Sequence, residues 1–259
     1  MSERCYDLLS SIQDESKIIT MKKGQNIAGF GVGILHLDNV WYPMIPGNVQ
    51  NAWTYRYPVL YQAVDGLDTP TLHSGKPEVY ETILASARKL EAKGCRAISA
   101  ACGFFGHFQK QLADDMDIPV AVSSLVQVPW IRTMLKSNQK IGVLTANAVA
   151  LNDHIFNSCG IYDTSDLVVA DLRHGKDFSA IMEDRGTFDM AGIRQEVIDA
   201  AKKLVQDNPS IGAILLECSD MPPYASAIQA AVGLPVFDFI TLINYLQNAV
   251  MQRPYEGWI

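Results

Sequence analysis

The sequence predicts an α/β protein built from two pseudo-symmetric halves, each a doubly wound parallel sheet, with the active site in the cleft between them. Short apolar runs alternate with segments of helical periodicity along most of the chain, which is the pattern of parallel α/β sheets. One βαβ-like segment also occurs twice, around Cys102 and around Cys218. The spacing inside the two copies is the same, which indicates a duplicated unit.

The duplication is visible in the residues that follow each cysteine. An aromatic residue comes six positions later, at Phe108 and at Tyr224. A proline that opens the next apolar run comes seventeen positions later, at Pro119 and at Pro235. Each copy therefore delivers one thiol to the end of a strand, the edge at which open parallel sheets bind their ligands.

The predicted elements follow the chain in regular alternation. We expect strands over 27–36, 96–101, 118–122, 140–145, 166–170, 211–217 and 234–237. We expect helices over 76–94, 105–116, 125–137, 148–159, 191–207, 223–232 and 239–251. The stretch 37–75 is the least regular part and is expected to be a long functional loop. The duplication predicts an N-terminal half over 1–124 and a C-terminal half over 125–237, with the helix in 238–259 packing back on the first half.

Composition excludes several classes of protein. The 259 residues are 48% hydrophobic and 19% charged, as in an ordinary soluble globular protein. A net charge of −7 argues against a nucleic-acid partner, and the lack of a long apolar run argues against a membrane partner. Five scattered cysteines and no secretory leader favour a reducing, cytoplasmic location. The cysteines form no CxxC pair and do not sit near histidines at zinc spacing, so no metal is expected.

Cys102 and Cys218 are the candidate acid/base residues. An ordinary thiol has a pKa near ~8.5, and a helix N-terminus lowers it. Because both cysteines precede predicted helices, we expect their thiolates to be favoured. Two thiols on opposite faces of one carbon atom can remove a proton and return it from the other side, which inverts a stereocentre. The alternative is that each thiol is a small buried side chain in the core.

Together with LTAN at 144–147 and IPGNVQNAWTYRYPVLYQAV at 45–64, these cysteines make the chain resemble the aspartate/glutamate racemase superfamily. That superfamily includes hydantoin racemases and arylmalonate decarboxylases. The resemblance implies that Cys102 and Cys218 are paired acid/base thiols that need no cofactor. It also implies a homo-oligomer and a small carboxylate substrate.

The chain departs from the amino-acid racemases at both cysteines. Those enzymes usually carry Asn-Thr after the first cysteine and Gly before the second, whereas this chain has Gly103-Phe104 and Glu217. Arylmalonate decarboxylases keep one cysteine of the pair, and this chain has both. The stretches CGFF and LECSDMPPY look closer to the algal-type lyases of the superfamily, which cleave dimethylsulfoniopropionate to acrylate and dimethyl sulfide.

Three functions therefore stay open, in a definite order. The leading prediction is a cofactor-independent racemase or epimerase of a small carboxylate such as an amino acid, with one thiolate removing the α-proton and the opposite thiol returning one. The first alternative is the lyase, which eliminates a β-substituent. The second alternative is a small-ligand-binding protein without catalytic activity.

Other polar residues are candidates for binding the substrate. Strand ends and loops place Asn48, Thr54, Arg56, Gly103, Phe104, Ser123, Thr145, Asn147, Ser219 and Asp220 near the expected cleft. The backbone N–H groups after Thr145 can bind a substrate carboxylate. The planar guanidinium group of Arg56 can pair with a carboxylate as well. Helix capping by Asn147 or Ser123 is an equally good interpretation of those two residues.

The loop before residue 62 is rich in aromatic side chains: Trp41, Tyr42, Trp53, Tyr55, Tyr57 and Tyr61. Most aromatic residues fill cores. If several of them line the cleft with Phe104 and Trp130, the pocket favours a cationic substrate such as a sulfonium, because cations bind over aromatic faces. His107 lies five residues beyond Cys102, a spacing that turns its side chain away on a helix, so a Cys–His hydrolase is disfavoured.

Overall fold

The computed structural model of the protein describes residues 23–253. The predicted N-terminal half begins at residue 1 and the predicted C-terminal segment ends at 259. The parts of these predictions at 1–22 and 254–259 lie outside the described residues.

The N-terminal sheet has three parallel strands, β1 (Val32–Leu37), β2 (Val59–Val64) and β3 (Ala97–Ala101), in the order β2–β1–β3. Strand β2 lies inside the stretch that was expected to be a loop, so that prediction was wrong. β2 is an edge strand whose residues are mostly half-buried, and it therefore lacks the continuous apolar pattern of an inner strand. The strand predicted over 118–122 is reduced to one parallel bridge beside β3, between Ile98 and Val120.

The C-terminal sheet has four parallel strands in the order β5–β4–β6–β7. They are β4 (Lys140–Thr145), β5 (Leu167–Asp171), β6 (Ile211–Leu216) and β7 (Val236–Phe237). Every residue of β6 is buried, as expected for an inner strand of a parallel sheet covered on both faces. The two parallel-sheet halves confirm the predicted α/β fold class.

Helices surround both sheets. The α-helices are α1 (Thr69–His73), α2 (Tyr80–Ala92), α3 (Gln109–Asp115), α4 (Val128–Met134), α5 (Asp153–Ser158), α6 (Ser179–Met182), α7 (Met190–Asp207), α8 (Ala225–Val232) and α9 (Phe239–Val250). Tighter 3₁₀ turns cover Ala52–Thr54, Pro77–Val79, Gly103–Phe108, Ser124–Gln127, Ala148–Ala150 and Pro222–Tyr224. Several predicted helices thus begin with a 3₁₀ turn, a common way to open an α-helix. Helices α1 and α6 are too short to show a helical period in the sequence.

Helix α9 packs on the N-terminal sheet. Its buried residues Phe239, Leu242 and Ile243 share one apolar cluster with Val32 and Ile34 of β1. This contact joins the end of the described chain to the first half. The division of the chain into halves at residue 124 stays a prediction. Within 23–253, no helix combines the length and apolar character needed to cross a membrane.

The longest helix, α7, begins with a side-chain cap that can be tested. The Asp189 carboxylate accepts the backbone N–H of Ala191 at 2.9 Å. We expect Asp189→Ala to lower the free energy of unfolding by about 1 kcal/mol and the melting temperature by about 2–4 °C. Asp189→Asn should have little effect, because asparagine caps equally well. The matched control is Asp199→Ala on the exposed face of the same helix, and equal melting temperatures for Asp189→Ala and this control would contradict the assignment of the cap.

Candidate active site

The two cysteines meet at one cavity between the halves. Cys102 directly follows β3, and Cys218 follows β6 after one intervening residue, so both stand at the carboxyl ends of parallel strands. The cavity is lined by Leu37, Tyr42, Thr69, His73, Ala101, Cys102, Gly103, Phe104, Ala146, Ile181, Met182, Glu217, Cys218, Ser219 and Asp220. Sequence reasoning therefore located the cleft through its repeated cysteines.

The two thiols have the same local geometry. The backbone N–H of Phe104 donates to the Cys102 sulfur, and the backbone N–H of Asp220 donates to the Cys218 sulfur. In both cases the donor is two residues beyond the cysteine. Burial nevertheless raises the pKa of both thiols, with further increases from Glu217 beside Cys102 and from Asp220 beside Cys218. The expectation of lowered thiol pKa values was wrong, because desolvation outweighs the favourable backbone dipoles.

A histidine that sequence reasoning did not identify lies beside the first thiol. His73 Nε2 is 3.9 Å from Cys102 Sγ. On its other side, His73 Nδ1 is 3.2 Å from Asn147 Nδ2, and Asn147 Oδ1 accepts a hydrogen bond from Arg173 Nη1 at 3.0 Å. Because an amide nitrogen only donates, Nδ1 is the acceptor and the imidazole proton lies on Nε2. His73 therefore presents a donor to Cys102.

This histidine is held neutral. Burial, with a further contribution from His107, lowers the pKa of His73 to about 4. Its ring also packs against Phe104, with ring centroids 4.0 Å apart. A neutral Nε2–H stabilises a thiolate by hydrogen bonding without adding a full positive charge to the cavity.

The second thiol lies beside a carboxyl group with several donors. Cys218 Sγ donates to Asp220 Oδ2 at 3.5 Å, and the Tyr42 hydroxyl donates to the same oxygen at 3.2 Å. Asn48 Nδ2 donates to the other oxygen at 2.5 Å. Burial raises the pKa of Asp220 to about 6, against the lowering effect of these donors. At neutral pH Asp220 is ionised and disfavours a negative charge on Cys218.

A second carboxyl group, Glu217, is completely buried between the strand ends. Its Oε2 accepts the Thr145 hydroxyl at 2.8 Å, and burial raises its pKa to about 7. A side chain on Gly103 would overlap the other carboxyl oxygen, so glycine is required at that position for the two halves to meet. Sequence reasoning noted Glu217 only as a departure from the racemases.

The other predicted binding residues divide into two groups. Asn48, Thr145 and Asn147 touch cavity residues through the hydrogen bonds described above and hold them in place. Thr54 and Ser123 are structural, since Thr54 donates to the Asn48 carbonyl and Ser123 caps a 3₁₀ turn.

Arg56 is exposed and is not among the residues that line the cavity. Its predicted role was to hold the substrate carboxylate, and its place in the structure gives no support to that role. Gly103, Phe104, Ser219 and Asp220 line the cavity, and their contact with a substrate stays a prediction.

Aromatic residues contribute less to the cavity than their density suggested. Tyr42 and Phe104 line it, whereas Trp53 is exposed and Trp130 borders a separate groove beside α9. Thr69 and His73 come from the unpredicted helix α1, and Ile181 and Met182 come from the unpredicted helix α6. These residues belong to no motif, so only the folded chain brings them to the cysteines.

Two segments from opposite halves cover the cavity and contact each other. The backbone N–H of Trp41 donates to Asp184 Oδ1 at 3.1 Å, and the backbone N–H of Gly186 donates to the Trp41 carbonyl at 2.7 Å. The neighbours of these residues, Tyr42 and Met182, line the cavity. Chain from both halves therefore contributes to the wall of the site next to this contact.

Comparison with curated proteins relates the chain to lyases. It is 30% identical to a dimethylsulfoniopropionate lyase of Durusdinium sp. clade D over 91% of this chain and 80% of that protein. It is 31% identical to dimethylsulfoniopropionate lyase 7 of Emiliania huxleyi (strain CCMP1516) over 87% of this chain and 69% of that protein. No family model matches the chain.

Comparison with solved structures relates the fold to racemases and decarboxylases. The fold matches unliganded arylmalonate decarboxylase with a TM-score of 0.55 at 13% identity, covering 88% of this chain and 94% of that one. It matches allantoin racemase from Pseudomonas fluorescens with a TM-score of 0.55 at 12% identity, covering 88% of this chain and 99% of that one. Sequence identities this low show a similarity of fold and nothing about function.

The two comparisons correct the leading functional prediction. Racemase activity was placed first because the paired thiols suit inversion of a stereocentre. The matched curated proteins are instead lyases by name, so the racemase interpretation was wrong and the lyase alternative is favoured. The resemblance to the superfamily and the assignment as an enzyme are confirmed. The chain belongs to the dimethylsulfoniopropionate lyase family of the aspartate/glutamate racemase superfamily.

Proposed function

We propose that the protein is a lyase that cleaves dimethylsulfoniopropionate to dimethyl sulfide and acrylate by β-elimination. The observation that carries this proposal is the identity of 30% to a lyase of that name across 91% of the chain. The aligned range covers 91% of the chain, so both cysteine segments lie within it. The chemistry of the cavity supports the same substrate class.

The cavity suits a cationic group. Its lining includes the carboxyl groups of Glu217 and Asp220 and the aromatic rings of Tyr42 and Phe104, whereas no lysine or arginine among residues 23–253 lines it. A sulfonium is stabilised by a buried carboxylate and by aromatic faces. The hydroxyls of Thr69 and Ser219 also line the cavity and supply donors for the substrate carboxylate.

Of the two thiols, Cys102 is the better base. Its sulfur is next to two neutral donors, the Phe104 N–H and His73 Nε2, which stabilise a thiolate. Cys218 instead lies 3.5 Å from the Asp220 carboxylate, which stabilises the protonated thiol. Cys102 is also partly exposed at the cleft, whereas Cys218 is buried.

The elimination then needs one base. The Cys102 thiolate takes a proton from the carbon next to the substrate carboxylate, and the electrons of that C–H bond form the C=C bond. The C–S bond breaks with its electrons on sulfur, so dimethyl sulfide leaves as a neutral molecule. Since a zwitterion is converted to an anion and a neutral molecule, one proton must leave the site in each turnover.

The first prediction of the proposed function is the lyase activity itself. We expect purified protein to release dimethyl sulfide from dimethylsulfoniopropionate, measured by gas chromatography of the headspace, with one acrylate per sulfide measured by proton NMR. Heat-denatured protein is the control. Absence of both products under conditions where the protein is folded would contradict the proposal.

The second prediction separates the two cysteines. Cys102→Ala should lower kcat by at least about 10³-fold, because it removes the base, whereas Cys218→Ala should lower kcat by only about tenfold. Cys95→Ala, a buried thiol in the N-terminal core, is the matched control and should keep its activity. Equal and complete losses in both cleft variants would point to a two-base mechanism instead.

The third prediction concerns the cation. 3-(Trimethylammonio)propanoate should bind more tightly than 4,4-dimethylpentanoate, its isostere without the positive charge, as measured by calorimetry. Binding of the cation should weaken as the pH falls below about 6, since protonation removes the charge of Asp220. Asp220→Asn should reduce the preference for the cation by about tenfold and remove this pH dependence. An unchanged preference in that variant would exclude Asp220 from the cation site.

A further inference from the structure

Glu217 is a buried carboxyl group with unused hydrogen-bonding capacity. Its side chain has no solvent exposure, and it lines the cavity between the two thiols' strand ends. One oxygen accepts the Thr145 hydroxyl, whereas Oε1 is buried without a hydrogen-bond partner among residues 23–253. A buried unpaired carboxylate oxygen costs free energy, which indicates a functional use.

The orphaned oxygen points across the interface between the halves. Glu217 belongs to the C-terminal half, yet Oε1 lies against Gly103, the residue next to Cys102. The thiols that feel its charge are Cys102 and Cys159 of neighbouring elements and Cys218 on its own segment. Glu217 is therefore within electrostatic reach of the proposed base from the opposite half.

The other carboxylate and imidazole acceptors that line the cavity are already occupied. Both Asp220 oxygens accept hydrogen bonds, from Asn48 on one side and from Tyr42 and Cys218 on the other. His73 accepts through Nδ1 and presents a proton, not a lone pair, to Cys102. Glu217 Oε1 is the acceptor left open near the first thiol.

Resting on the proposed function, we infer that Glu217 accepts the thiol proton of Cys102 and thereby generates the thiolate that removes the substrate proton. The S–H bond of Cys102 breaks and an O–H bond forms at Oε1. After the thiolate has taken the substrate proton, Glu217 holds the proton that must leave the site, and it releases that proton to solvent before the next turnover. Burial sets the pKa of Glu217 at about 7, so it can both take up and release a proton near neutrality.

A purely electrostatic role would have the opposite effect on the thiol. If Glu217 only repels negative charge, its removal makes Cys102 more acidic and more reactive. If it accepts the proton, the form with a Cys102 thiolate and a protonated Glu217 becomes accessible once the pair has lost its first proton, above the pKa of Glu217. Removal of Glu217 then makes Cys102 less reactive near neutral pH. The direction of the change therefore decides between the two roles.

The experiment measures the rate at which iodoacetamide alkylates Cys102, followed by mass spectrometry of its peptide across the pH range, with no substrate present. In the unmodified protein we expect the rate to rise through about pH 7 and then level off. In Glu217→Gln this plateau should vanish, and alkylation near neutrality should slow by at least about tenfold. Glu81→Gln, an exposed carboxylate on α2, is the control and should match the unmodified protein.

Glu217→Asp tests the contact separately from the charge. It keeps a carboxylate but withdraws it from Gly103, so we expect alkylation as slow as in Glu217→Gln. Faster alkylation of Glu217→Gln, or a plateau kept in either variant, would overturn the inference. In turnover, Glu217→Gln should lower kcat by about 10²-fold.

These outcomes are independent of the proposed function. The alkylation profile needs no substrate, and an active protein whose Glu217→Gln variant keeps full kcat and the same pH profile would refute the inference alone. Lack of dimethyl sulfide release by the unmodified protein would refute the proposed function alone.

Discussion

The site depends on the close approach of two strand ends from different sheets. Gly103 leaves the space into which the Glu217 carboxyl group of the opposite half fits. Any larger residue at 103 would push β3 and β6 apart. Cys102 would then be separated from Glu217 and Asp220, the acidic residues that flank Cys218. This contact holds together the two halves that carry the thiols, each of which receives a backbone N–H from two residues beyond it.

Burial then determines the chemistry of the cleft. It raises the pKa of Glu217 to about 7 and that of Asp220 to about 6, and it keeps His73 neutral by lowering its pKa to about 4. The described lining of the cavity contains two carboxyl groups and no lysine or arginine. Such a cavity attracts a positively charged sulfonium group and disfavours a ligand that carries only negative charge. The same fold that supports racemases thus offers a different electrostatic environment in this family.

The sequence was sufficient for the fold class and for the placement of both cysteines at one cavity, because duplication repeats a spacing that can be counted. It was not sufficient for the edge strand β2, whose half-buried residues lack an apolar run. His73 lies on a helix of five residues that shows no periodicity, and nothing in the sequence links it to Cys102 across 29 positions. The sequence also could not predict the direction of the thiol pKa shifts. Desolvation in the folded cavity sets that direction, and it outweighs the effect of a position before a helix.

Function was the hardest part to predict because both candidate reactions begin with the same step, removal of a proton next to a carboxylate. What differs is the environment of the second thiol. Asp220 keeps Cys218 protonated and offers a place for a cation, and this asymmetry breaks the equivalence of the two halves. Pseudo-symmetry in the sequence therefore suggested two equal bases, while the folded site favours one.

The most direct test of this account is a single-turnover reaction with dimethylsulfoniopropionate that carries two deuterium atoms on the carbon next to the carboxylate. The account predicts slower product formation than with the unlabelled substrate, and acrylate that retains one deuterium, because Cys102 removes the other. A product that retains both deuterium atoms and forms at the unlabelled rate, as displacement of dimethyl sulfide by water would give, would contradict elimination at this site.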